Sequence, residues 1–128
     1  MKKIVIDSDI IVEHLTVKKY PSILRKLLSK YFCYTTVFNA IELFSKCKTD
    51  LDRQSMAKAM SCIKLLGMNP KPSISFGKTY AKGQKKNIKE TYTFIATLCI
   101  EAKLTLATLR PTKYSWIKNL QILKDDSF

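Results

Sequence analysis

Carboxylates are scarce in this sequence: 10 Asp and Glu stand against 23 Lys and Arg, a formal net charge of +13 over 128 residues. Such an excess of positive charge favours polyanionic partners, with nucleic acid first among them; solubility alone is the plainer explanation of the same charge. Histidine is scarcer still, with 1 residue, and the 4 cysteines (Cys33, Cys47, Cys62, Cys99) form no C-x-x-C pair. A zinc site needs Cys and His clustered at short spacing, so this composition excludes one. Each cysteine lies among apolar neighbours and reads as a free, buried thiol of a cytoplasmic protein. The apolar run near the N-terminus is too short and too acidic for a signal peptide or a membrane span. With no basic amphipathic anchor either, no membrane partner is expected. Internal repeats, low-complexity tracts and linkers are also missing.

What is present fits one folded domain over residues 1–128: 46% apolar and 26% charged residues, on a chain long enough to bury a core. Strand and helix patterns alternate. Ile4-Val5-Ile6 is a continuous apolar run, as a strand buried on both faces requires. A short helix through His14 follows, with Asp9 as its expected cap. A second helix runs from about Pro21 to Ser29, with Ile23, Leu24, Leu27 and Leu28 inward and Pro21 in its first turn. Tyr31 to Thr35 reads as a strand, and Thr36 caps a helix holding Val37, Ile41, Glu42 and Phe44. Asp50 to Leu66 reads as one long helix stopped at Gly67, followed by turn residues Asn69 to Ser73. Further helices are expected from Ser73 to about Lys82, ended by Gly83, and from Glu90 to Lys103. Leu104 to Thr108 forms a strand, Tyr114 to Lys118 a short helix, and Leu120 to Leu123 a last strand. Alternation of this kind implies right-handed crossovers, hence a three-layer α/β/α sandwich with a mainly parallel sheet.

In that architecture polar residues at strand C-termini meet at one edge of the sheet, where α/β proteins place ligands. Asp7 and Thr108 occupy such positions, and Glu42 can join them from the helix after the second strand. Two or more carboxylates at a strand edge suit a Mg²⁺ ion.

These segments resemble the PIN domain, and within it the small VapC-type toxin ribonucleases. The resemblance spans nearly the whole chain. Ile4-Val5-Ile6-Asp7-Ser8-Asp9 resembles the opening strand with its first catalytic Asp. Thr36-Val37-Phe38-Asn39-Ala40-Ile41-Glu42-Leu43 resembles the segment carrying the second acid, and Ile95-Ala96-Thr97 the triplet that follows the third. Thr108-Leu109-Arg110-Pro111-Thr112-Lys113-Tyr114 resembles the family's Thr-x-Asn-x-x-Asp-Phe box. The resemblance implies Asp7 and Glu42 as catalytic acids, and Asp7, Glu42 and Asp9 as ligands of Mg²⁺ or Mn²⁺ if the site is live, with no cofactor otherwise. Ser8, Asn39, Glu90, Tyr92, Thr108, Arg110 and Lys113 would line the site. It also implies an RNA substrate, an antitoxin-like partner and a homodimer.

The departures from the family pattern bear on activity. Tyr92 stands where the third acid is expected, Arg110 replaces the Asn, and Lys113 replaces the late Asp. Glu90, two residues before Tyr92, lies about 200° round the helix and cannot simply substitute. Losing carboxylates and gaining cations weakens Mg²⁺ binding. Lys113 either pairs with Asp7 or Glu42 as a counter-ion or points to solvent. The reading is a PIN-like protein that binds RNA or a protein partner with weak or no nuclease activity. The alternative is an active Mg²⁺-dependent endoribonuclease toxin. A basic module unrelated to nucleases is a third reading. Lys82, Lys85, Lys86 and Lys89 form a basic run suited to phosphate contacts or merely to solvation. His14, Tyr114 and Trp116 have both functional and plain readings: a proton carrier or an exposed ring, base stacking or packing on the sheet. Phe38, Phe44 and Phe94 are expected in the core.

Overall fold

A computed structural model describes residues 1–67, 73–87 and 89–128. The sheet is fully parallel, in the order β3-β2-β1-β4, with β1 at Lys3–Ile6, β2 at Phe32–Thr36, β3 at Lys64–Leu66 and β4 at Thr105–Ala107. β1 and β4 are neighbours, with Ile6 opposite Ala107, so the strand ends carrying Asp7 and Thr108 lie side by side. Asp7 extends the ladder by donating its N–H to Ala107 O at 2.9 Å.

The period of two along β1 divides the core. Ile4 and Ile6 face one side, buried against Ile10 and Ile11 of α1 (Ser8–Thr16), Leu24 and Leu27 of α2 (Ile23–Leu28), and Met56 of α4 (Asp50–Ala59). Val5 faces the other side, with Leu106, Tyr114 and the Ile95, Ala96 and Cys99 stripe of α6 (Glu90–Ala102). Both faces are therefore covered, which is the three-layer arrangement expected from the alternation. Each fully buried Ile or Leu contributes on the order of 1.5–3 kcal/mol, and Ile6→Ala would cost about 2–5 kcal/mol.

α3 (Val37–Ser45) starts where expected, capped by Thr36 in a reciprocal box with Asn39. Its buried face is Asn39, Ala40 and Leu43, while Ile41 and Phe44 are exposed; Phe44 does not join the core. Phe38 and Phe94 do pack together, with ring centroids 5.0 Å apart. α5 (Ser73–Lys85) runs straight through Gly83 instead of ending there. Gly83 is buried at the contact with α6: a Cβ at that position would lie 2.7 Å from Thr93 Oγ1 and 3.2 Å from the Trp116 ring. The residue marks close helix packing, a use of glycine that local sequence reading mistakes for a stop.

Other local expectations shift. Asp7 caps α1, not Asp9, because Asp7 is the last extended residue and its carboxylate accepts from Ser8 N. Ser22 caps α2, which leaves Pro21 outside the first turn. Asp50 to Leu66 is not one helix: α4, capped by Thr49, ends at Ala59 and the chain re-enters the sheet as the three-residue edge strand β3. The expected final strand is reduced to one parallel bridge between Leu106 and Ile122. The expected helix near Tyr114 is a 3₁₀ turn at Pro111–Lys113. The turn predicted at Asn69 to Ser73 lies outside the described residues up to position 72, and Ser73 opens α5. Of the cysteines, Cys33 and Cys99 are buried, Cys47 is half-buried and Cys62 is exposed, which corrects the expectation that all are buried. Burial pushes the Cys33 thiol up to about 11 and the Cys99 thiol upward as well, so both stay protonated and unreactive. Among the described residues no helix is long and apolar enough to cross a membrane.

Candidate functional site

At the C-terminal ends of β1 and β4 the chain opens into a cleft of about 450 Å³. Asp7, Ser8, Asp9, Glu42, Tyr92 and Arg110 line it, so most of the residues singled out by sequence do meet in one place. Asn39 and Thr108 lie beneath as buried partners of the acids.

Asp7 is 5% exposed, and its carboxylate accepts four hydrogen bonds. Oδ1 takes Ser8 N at 2.8 Å and Asn39 Nδ2 at 3.0 Å. Oδ2 takes Thr108 Oγ1 at 2.8 Å and the Tyr114 hydroxyl at 2.9 Å. Each donor comes from a separate feature of the fold. Ser8 opens α1, Asn39 sits in the first turn of α3, and Thr108 follows β4. Tyr114 follows the 3₁₀ turn. Asn39 is held in turn: its Oδ1 accepts from Thr36 N at 3.2 Å and Thr36 Oγ1 at 2.7 Å, so its amide is oriented with Nδ2 towards Asp7. A buried carboxylate is tolerated when its lone pairs are filled by donors, and here protein groups fill them.

Asp9 is in a different state. Its Oδ2 accepts from Leu109 N at 2.9 Å and from Thr108 Oγ1 at 3.1 Å. The single Thr108 proton is thus shared between two carboxylates. Oδ1 of Asp9 is buried with no hydrogen-bond partner. Burial, and then the charge of Asp7, push the Asp9 carboxyl up to about 6, partly offset by the bonds from Thr108 and Leu109.

Glu42, from α3, has a Lys89 ammonium 3.9 Å from its Oε2. Lys89 is the cation at this acid, and Lys113 is not. Lys113 is exposed on the 3₁₀ turn, outside the cleft lining, and among the described residues it makes no ion pair with Asp7 or Glu42. Glu90 is exposed as well, accepting from the Tyr80 hydroxyl at 3.4 Å, and does not reach the cleft. Tyr92 does reach it, and its ring meets that of Tyr114 edge-on at 5.3 Å and 89°. Lys82, Lys85 and Lys86 are exposed at the end of α5 and just beyond it.

Two charged contributors escape a sequence reading, and Tyr114 enters it only for its ring. Glu13 lines the cleft, with its Oε1 accepting from Ile23 N at 3.0 Å, and Lys46 lines it too. Both had a signal in principle: Glu13 is i+4 from Asp9 and Lys46 is i+4 from Glu42, so each shares a helix face with a candidate acid. Tyr114 had none, because nothing in the pattern separates a packing ring from one whose hydroxyl is needed. Burial, then the charge of Asp7, push that phenol well above its ordinary value, so it remains a donor at any working pH. His14 is engaged with Ser22 Oγ at 2.6 Å, a structural contact.

The donor set fits a divalent ion poorly. Asp7 has both oxygens committed to protein donors, and Tyr92 of α6 brings a phenol to the cleft lining. Among the described residues no three His, Cys, Asp or Glu side chains are grouped to hold a metal.

No family model matches the sequence, and no curated protein matches it. Solved structures do. A chain of VapBC2 from Rickettsia felis, in a complex bound to a DNA fragment from its promoter, matches with a TM-score of 0.78 at 20% identity, covering 97% of this chain and 99% of that one. A chain of VapBC-1 from nontypeable Haemophilus influenzae matches with a TM-score of 0.77 at 17% identity, covering 95% and 97%. A chain of VapBC-5 from Mycobacterium tuberculosis, a member of the VapBC family of toxin–antitoxin systems, matches at 0.67 and 12%, covering 98% and 100%. At these identities the likeness is one of fold: the chain has the PIN-type fold of VapC toxins, as its sequence segments suggest.

Proposed function

We propose that residues 1–128 form one domain acting as the toxin-side member of a VapC-type toxin–antitoxin pair, an RNA-binding protein whose Mg²⁺-dependent cleavage is weak or absent. The observation that carries the reading is the state of Asp7. Its oxygens are occupied by Ser8, Asn39, Thr108 and Tyr114, while Tyr92 takes the place of a further acid and Lys89 approaches Glu42. A hydrolytic metal must bind at least one such carboxylate directly to lower the pKa of its water and to neutralise the scissile phosphate. Charge supports the RNA half: the net +13 includes the exposed run of Lys82, Lys85, Lys86 and Lys89. The fold shared with VapBC complexes supports an antitoxin-like partner.

One observation favours a live Mg²⁺ or Mn²⁺ endoribonuclease instead. The unpartnered Oδ1 of Asp9 and its raised pKa are both features that a cation would relieve. The occupied state of Asp7 weighs more, because a metal would have to displace buried hydrogen bonds there.

Gel-shift titration with single-stranded RNA tests the binding half. If the four lysines each neutralise a phosphate, raising salt from about 50 to 200 mM should weaken binding about 50-fold, and neutralising two of them by Lys→Gln should halve the salt slope. No binding at low salt would remove the proposal.

A further inference from the structure

Beside the acidic cleft, and sharing Leu109 as a common wall, lies a second hollow of about 640 Å³. Its lining is mainly apolar: Leu109, Pro111, Ile122, Leu123 and Phe128. The floor is fixed, because Leu123 is buried and donates its N–H to Leu106 O at 2.7 Å. Phe128 is placed by a clasp. Lys30 Nζ bonds Asp125 Oδ1 at 3.1 Å and Asp126 Oδ1 at 2.8 Å, Tyr31 donates its hydroxyl to Asp125 Oδ2, and Ser127 is buried. Phe128 stays 45% exposed while lining the hollow. The hydroxyl-bearing Thr112 and Ser115 stand on the rim. One cation, Lys124, is in the lining; Arg110 lines the neighbouring acidic cleft, and exposed Lys113 follows the lining residue Thr112 in sequence. Of the nearby acids, Asp125 is already engaged by Lys30 and Tyr31.

An apolar floor, an aromatic edge, a few hydroxyls and the Lys124 ammonium together match the chemistry of an unstacked nucleotide. The base face is apolar and stacks, its edge takes hydrogen bonds, and its phosphates carry the charge. An apolar protein side chain would fill the floor but leave the Lys124 ammonium without a counter-charge. We propose that this hollow receives a single splayed-out base of an RNA strand that crosses the neighbouring cleft, with the adjoining phosphates on Arg110, Lys113 and Lys124. The assignment rests on the RNA-binding reading above and adds a place for one base. It gives Lys113 a role outside the acidic cleft.

The test compares a short oligouridylate with an abasic ribose-phosphate chain of the same length and charge, by filter binding at low salt. The unmodified protein should prefer the oligomer with bases by roughly fivefold or more, the scale of one stacked base. Phe128→Ala should erase most of that preference and leave the abasic affinity unchanged. Lys113→Glu should weaken both ligands alike. If both oligomers bind but the preference survives Phe128→Ala, the base lies elsewhere and this inference fails while the RNA reading stands. If a protein partner occupies the hollow, Phe128→Ala weakens that complex and leaves the oligomer preference intact, and the inference fails in the same way. If neither oligomer binds, both the inference and the RNA reading fall.

Discussion

Replacing Tyr114 by Phe isolates the contact on which the state of Asp7 turns. The change removes one oxygen and keeps the ring, so the edge-on contact with Tyr92 survives. What is lost is the 2.9 Å bond to Asp7 Oδ2, in a residue 1% exposed. A hydrogen bond to a charged acceptor contributes about 1.5–3 kcal/mol. Asp7 keeps Ser8, Asn39 and Thr108, so it is not orphaned and the cost should fall near 2 kcal/mol. For a chain of this size that is a fall of roughly 6–10 °C in Tm, and a matching drop in the urea midpoint with an unchanged slope. The same change leaves Oδ2 with Thr108 as its one remaining donor, so Mn²⁺ affinity, measured by calorimetry, should rise. Opposite signs on stability and metal affinity are the signature of protein donors competing with a metal for one carboxylate. An unaltered urea midpoint would refute the reasoning, because it would mean that the Tyr114 hydroxyl does not hold Asp7 in the folded protein.

Two further outcomes follow from the same cleft. Asp9 has a folded pKa raised from the ordinary 3.8 to about 6, so the folded state binds its proton more tightly than the unfolded one. Its contribution to stability is therefore full below about pH 4 and lost as pH rises through about 6. Asp9→Asn should raise stability at pH 7 by about 1–2 kcal/mol, after discounting for partial exposure, and by nothing near pH 4. Urea midpoints at the two pH values check this, and an equal difference at both would contradict it. Tyr92→Asp should tighten Mn²⁺ binding because Tyr92 lines the cleft, whereas Lys113→Asp should leave it nearly unchanged; the reverse ranking in a titration would place Lys113 at the site.

Parts of this structure were legible in the sequence because they depend on short-range rules. Ile4-Val5-Ile6 reads as a doubly buried strand because its two faces must both be apolar, and the structure divides the core accordingly. Thr36 reads as a cap because its hydroxyl and Asn39 are three residues apart. The parallel direction of β1 and β4 follows from the helical crossovers between the strands. β3 was not legible: Lys64 and Leu65 are exposed on a three-residue edge strand, so no alternation marks it and it merges with the helix before it. At the site, Asp7, Asp9, Glu42, Tyr92 and Arg110 were recoverable from local motifs, and they share the cleft. The choice of Lys89 over Lys113 as the cation at Glu42 was not, because it depends on how the start of α6 packs against α3. The hydroxyl of Tyr114 was invisible for a similar reason: its role depends on a contact between the two ends of the chain.

The central claim is that protein donors have taken the place of a catalytic metal at Asp7. Its most direct test is cleavage of a structured RNA by the unmodified protein, with Mg²⁺ or Mn²⁺ and again with EDTA. The expected result is little or no cleavage in either condition, with RNA still bound. Robust cleavage that EDTA abolishes and that Asp7→Asn eliminates would contradict it.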